Sequence, residues 1–156
     1  MEYLRTKVMT ASPEELHLML YDGAIRFAEA AKLAIQEKNL EKAYESLVRA
    51  QNIVLEMSSG LDHEVNPDLS SKLSSLYNFI YRRLIDANMK RDISAIDDAL
   101  KILTYQRETW VLLMDKLAQE KQGEAAPMES IGNPNNSQIS ANEFQREPGM
   151  TLSLSV

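Results

Sequence analysis

Four times in the first 92 residues, a helix-capping side chain stands just before a stretch whose apolar residues recur at three- and four-residue steps. That repetition restricts the chain to a packing of helices. Ser12 precedes Pro13 and is followed three residues on by Glu15, a capping-box arrangement; Asn39, Asn66 with Pro67, and Asp92 occupy equivalent positions. The predicted helices cover about residues 13–37, 40–59, 67–91 and 93–122. Five glycines and five prolines are few for 156 residues, and half of them follow Gly123, so little interrupts the earlier helices. Short connections make successive helices antiparallel neighbours, so the expected fold is all-α, an antiparallel up-down-up-down four-helix bundle.

The apolar positions exceed what one face of each helix requires. In the first predicted helix Leu16, Leu20, Gly23, Phe27, Ala30 and Ala34 form a core stripe, while Leu18, Tyr21, Ile25 and Ala28 form a second on roughly the opposite side. A single neighbour does not bury both, so a covering element outside the four helices is expected. The second helix places Ala43, Leu47, Ala50, Val54 and Met57 inward, with Tyr44, Val48, Gln51 and Leu55 beside them. The third places Leu69, Leu73, Leu76, Ile80, Arg83 or Leu84, and Ala87 inward, with Tyr77, Tyr81, Leu84 and Asn88 alongside; the fourth turns Ile96, Leu100, Leu103, Trp110, Met114 and Leu117 inward.

A bundle helix touches two neighbours and needs a broad apolar arc, which accounts for part of this surplus. The remainder predicts a groove for a partner segment. Tyrosines mixed with Gln51, Asn52 and Asn88 offer apolar area whose polar ends reach a peptide backbone. The candidate partner-binding residues are Leu18, Tyr21, Ile25, Tyr44, Val48, Gln51, Asn52, Leu55, Tyr77, Tyr81, Leu84 and Asn88. Burying one Leu, Ile or Tyr is worth roughly 1.5–3 kcal/mol, so such a groove offsets the roughly 2–5 kcal/mol cost of ordering a disordered ligand.

Other chemistries find little support. A net charge of −6 argues against general nucleic-acid or anionic-membrane binding, and Arg82, Arg83, Lys90 and Arg91 read as a solvated helix end. The absence of cysteine removes disulfides and thiolate ligands and fits a reducing compartment, the cytoplasm. No run approaches the roughly 20 apolar residues of a membrane span, and the amino terminus lacks a signal-peptide core, so no stable membrane insertion is expected. Glu14-x-x-His17 lacks the second copy and further carboxylates of a di-iron bundle, and His63-Glu64 lacks a second zincin histidine. Both histidines read as surface residues, and no catalytic residue, metal or cofactor is expected. Arg107, the one polar residue on the fourth core stripe, is expected to pack its stem inward and send its guanidinium to a carboxylate or a helix-end carbonyl, with direct partner contact as the alternative.

Residues 123–156 shift to Asn, Ser, Gln, Gly and Pro with isolated hydrophobes, the composition of a disordered tail.

The stretches TASPEELHLMLYDGAIRF, KAYESLVRAQNIVLEM, LYNFIYRRLIDANMKRD and Arg107 to Trp110 resemble, in order, blocks of the flagellin-specific export chaperones, the FliS family. The resemblance covers about residues 3–120. It implies a cytoplasmic chaperone, not an enzyme. Such a chaperone binds the disordered C-terminal segment of flagellin, prevents premature polymerisation and delivers the subunit to the gate protein of the flagellar type III export apparatus. A co-chaperone or regulatory factor is a further implied partner. The resemblance also implies a short N-terminal cap, here carrying Tyr3, Leu4 and Val8, that lies over Leu18, Tyr21 and Ile25 until client displaces it. The tail departs from compact family members, and its end, Met150 to Val156, resembles flagellin endings, which suggests a pseudo-client. The alternative is a self-associating bundle or adaptor that uses the same surplus residues in a weak homodimer.

Overall fold

A computed structural model describes residues 2–125, with side chains as far as Gly123. Its helices are α1 (Glu2–Thr10), α2 (Pro13–Gln36), α3 (Leu40–Ser59), α4 (Pro67–Lys90) and α5 (Ile93–Ala125). The predicted starts have the predicted chemistry. Ser12 Oγ accepts from Glu15 N at 3.2 Å, Asn39 Oδ1 from Lys42 N at 3.2 Å, and Asn66 Oδ1 from Leu69 N at 3.1 Å. Asp92 Oδ1 accepts from Ser94 N at 2.9 Å. Each bond satisfies a backbone donor that a helix start leaves without an intrahelical partner.

α2 to α5 form an antiparallel bundle in which α2 contacts α3 and α5, and α4 contacts the same two. The connections at one end are tight. Lys38 and Arg91 both adopt left-handed backbone, with φ of 61° and 52°, and Asn39 N donates back to Ala34 O at 2.8 Å. At the other end the α3–α4 loop is tied down by buried Ser70, whose hydroxyl donates to Asp62 O at 2.9 Å.

The core corrects the reading of α2. Its buried residues are Tyr21, Gly23, Ala24, Ala28, Ala31 and Ala34, while Leu20, Ile25 and Phe27 pack half-buried around them. At 100° per residue, Ala24 and Ala31 lie between the two apolar stripes and Ala28 borders them, so those stripes are the edges of one wide arc. One edge faces α3: an added Cβ on Gly23 would lie 3.1 Å from Ile53 Cδ1, and Arg49 sits over the Phe27 ring. The other edge faces α5, where Lys32 pairs with Asp97 at 2.8 Å and Asp22 with Arg107. The cover is α5, the fourth predicted helix, and not an element outside the four as expected.

α1 does not serve as that cover. None of its residues is buried, and Tyr3, Leu4 and Val8 are 78%, 53% and 43% exposed. α1 is a nine-residue helix separated from α2 only by Ala11 and Ser12, and α5 already occupies the flank of Leu18 and Ile25. The predicted tail from residue 126 onward, with Met150 to Val156, lies outside the described residues.

Across the bundle, Tyr21 of α2 and Tyr77 of α4 are 2% and 1% exposed, and their hydroxyls meet at 2.8 Å. Tyr77 Oη also lies 3.4 Å from His17 Nε2. Tyr77→Phe therefore strips a partner from two groups, whereas Tyr21→Phe leaves Tyr77 bonded to the imidazole. Urea unfolding should show a loss of about 1–3 kcal/mol for Tyr77→Phe and clearly less for Tyr21→Phe, with the double variant below the sum of the two. Equal losses would show that the imidazole contact contributes nothing.

Candidate functional site

Two features of the bundle are open to a partner. The first is the outer side of the α3–α4 seam. On α3, Tyr44, Val48, Gln51 and Leu55 recur at helical spacing on the flank next to α4, with Tyr44 59% and Leu55 46% exposed. From α4, Tyr81 and Asn88 lean to the same side, and Asn88 Nδ2 reaches Gln51 Oε1 at 3.5 Å across the seam. Asn52 is exposed farther round α3. Ile85, one turn beyond Tyr81 and half-buried, belongs to this strip. The sequence reading left it out, although its four-residue spacing from Tyr81 was the signal. At one end of the strip Leu40, Tyr44, Asn88 and Arg91 border a cavity of about 110 Å³.

The second feature is a larger cavity, about 250 Å³, between the start of α2, the end of α3, and α4 and α5. Its floor holds Tyr21 and Tyr77, and His17 and Trp110 stand beside them with ring centroids 4.6 Å apart. His17 meets the Tyr21 ring edge-on at 5.0 Å. The Trp110 indole donates to Glu14 O at 3.0 Å and holds α5 against the first turn of α2. Pro13, Gly60 and Thr109 are exposed lining residues, so the cavity opens outward past them.

These contacts move several predicted residues. Tyr21, Tyr77 and Leu84 are buried in the core and hold the helices together, so they are no part of the α3–α4 strip; the two phenols reach only the floor of the larger cavity. Leu18 and Ile25 are half-buried on the edge of α2 that faces α5 and stand apart from the α3–α4 strip. His17 is no surface residue. Burial pushes its imidazole below the usual histidine range, because a charged ring there would lose its hydration. Burial likewise pushes Tyr21 far above the usual phenol range, with the neighbouring Tyr77 adding to the effect, and raises Tyr77 as well. All three groups are therefore neutral near pH 7. Tyr21 donating to Tyr77, and Tyr77 to His17 Nε2, satisfies the chain with the imidazole proton on Nδ1. His63, by contrast, is exposed in the α3–α4 loop, and Arg107 packs as expected, with Asp22 as its carboxylate.

Comparison with known proteins bears on this arrangement directly. A family model described as "Flagellar protein FliS" matches residues 1–117, which contain both features. The chain belongs to the FliS family. The flagellar secretion chaperone FliS of Bacillus subtilis is 33% identical over 121 residues, 78% of this chain and 90% of that protein. Those of Salmonella typhimurium and Escherichia coli are 33% and 32% identical over 114 and 108 residues, covering 72% and 69% of this chain and 84% and 79% of those proteins. The FliS family consists of flagellar secretion chaperones and not of enzymes. Among the described residues, no group of side chains in this FliS chain is placed to hold a metal, and no helix is long and apolar enough to cross a membrane.

The buried imidazole makes stability depend on pH. Because the folded state holds His17 below its unfolded value of 6.5, the unfolded chain binds more protons between the two values. Its contribution is complete above pH 6.5 and is lost as pH falls toward the folded value, with a slope of at most about 1.4 kcal/mol per pH unit. Urea unfolding at pH 7.5 and 5.5 should show this loss, and His17→Gln should reduce it.

Proposed function

We propose that this FliS-family protein binds the disordered C-terminal segment of flagellin along the α3–α4 strip. It thereby prevents premature polymerisation and delivers the subunit to the gate protein of the flagellar export apparatus, from the bacterial cytosol. The observation that carries this reading is the strip itself, in a chain whose relatives are named secretion chaperones. Exposed Tyr44 and Leu55 are expensive to leave in water, and Gln51, Asn52 and Asn88 set amide donors and acceptors among them. An amphipathic helix or an extended segment laid there buries its apolar side chains and finds backbone partners.

The N-terminal helix fits this reading in a revised form. Tyr3, Leu4 and Val8 lie exposed on α1 and are available to contact a client directly. Tyr105 and Leu112, two turns apart on α5 and 68% and 71% exposed, form a separate outer strip that a second copy of the chain would use in a weak homodimer.

Calorimetric titration with the last 40 or so residues of the cognate flagellin, together with light scattering, should show saturable one-to-one binding with a negative heat-capacity change. Leu55→Asp and Tyr44→Ala should each weaken it by about tenfold or more while leaving the unfolding midpoint nearly unchanged, since both sites are solvent-facing. A folded, monodisperse protein that binds nothing would leave self-association as the better use of these surfaces.

A further inference from the structure

The α3–α4 strip ends in the cavity of about 110 Å³, between the last turns of α2 and α4 and the first turns of α3. Ile35, Ala43, Leu47 and Ala87 give it apolar walls, and Arg91 is the one charged residue that lines it. The nearby acids Glu37, Glu41 and Glu45 lie outside its lining. A dry cavity of roughly 150 Å³ holds a benzene ring, so this one has room for about one aliphatic side chain. Arg91 pairs with no carboxylate among the described residues. Its neighbour Asp92 is committed to Ser94 N in capping α5, and Lys90 stands on its other side. Asn88, also at the rim, has an amide donor left beyond its 3.5 Å contact with Gln51.

We infer that this cavity receives the C-terminal residue of the client, with its side chain among the apolar walls and its carboxylate on Arg91 and Asn88, an assignment that rests on the strip being the client groove. Guanidinium offers two parallel N–H donors in the geometry a carboxylate accepts. An internal Asp or Glu has its carboxylate where the apolar side chain would be. A chain end carries side chain and carboxylate on one α-carbon, so a single apolar cavity with a cation at its rim takes both. The client then has a fixed direction. Tyr44, Val48, Gln51 and Leu55 lead away from the cavity along α3, so the client runs antiparallel to α3, from Leu55 toward Tyr44. The path from Tyr44 to Leu55 is roughly 16 Å, the length of about five extended residues or about eleven helical ones.

The test is calorimetric titration of the full chain with two peptides covering the last 40 or so residues of the cognate flagellin, one ending in the free acid and the other in a carboxamide. The amide should bind about fivefold more weakly than the acid. Arg91→Gly should weaken the acid by the same factor and leave the amide unchanged, so that the variant binds both alike. The variant keeps the fold, because the left-handed φ of 52° at Arg91 suits glycine. A spin label near the peptide's end should broaden the methyl resonances of Leu40 far more than those of Leu55, roughly 22 Å away along α3. Equal binding of acid and amide by the unaltered chain would overturn the inference while leaving the strip as the client groove. Equal weakening of both peptides by Arg91→Gly would also overturn it, in favour of an acidic side chain inside the client. Broadening centred on Leu55 would reverse the client and overturn it as well. If neither peptide binds, the client reading itself fails and the cavity's assignment falls with it.

Discussion

Two phenols buried side by side, Tyr21 and Tyr77, organise this bundle. Each carries a hydroxyl that would cost several kcal/mol to bury alone, and each is relieved by the other at 2.8 Å. The pair joins α2 and α4, which stand across the core from each other while α3 and α5 fill the sides. Once the phenols are placed, His17 has a partner one turn before Tyr21, and Trp110 stacks on His17 and bonds the backbone of Glu14. The larger cavity is the space left around this group of rings.

The rest of the core is built differently. Ala31, Ala34, Ala43, Ala87, Ala95 and Ala99 are buried toward the end with the two tight connections, and the large buried residues Tyr21, Met57 and Tyr77 lie toward the other. Alanines let helix axes approach closely, whereas large rings hold them apart. Ion pairs then border α5 on both sides, Asp97 with Lys32 of α2 and Asp98 with Arg83 of α4. Such partly exposed pairs add little stability and serve chiefly to fix register.

This bundle keeps a packed fold while leaving apolar surface exposed on its flank. The separation between core and surface makes this possible. The side chains that hold the bundle are alanines, aliphatics such as Leu47, Ile80 and Leu103, and neutral hydrogen-bonded rings in its interior, and the strip of Tyr44, Val48 and Leu55 lies on the flank of α3, outside that core. The exposed side chains of the strip contribute little to the core, so this surface can change without disturbing the fold.

Much of the architecture was legible in the chain because helix starts are local chemistry. Ser12, Asn39, Asn66 and Asp92 cap helices through atoms two or three residues away, and the sparse glycines and prolines leave the helices uninterrupted. The α3–α4 strip was partly legible for the same reason, since Tyr44, Val48, Gln51 and Leu55 share a flank by spacing alone. Which apolar residues are core was not legible. Ala24 and Ala31 carry little hydrophobic signal, so one wide arc on α2 read as two stripes with a gap between them. Tyr21 and Tyr77 passed for surface, and His17 likewise, because burial of a phenol or imidazole depends on a partner 56 or 60 positions away. Local sequence determined the helices and their order. Only the tertiary structure decided which side chains meet across the bundle, because a polar group can be buried only where another element supplies its bond.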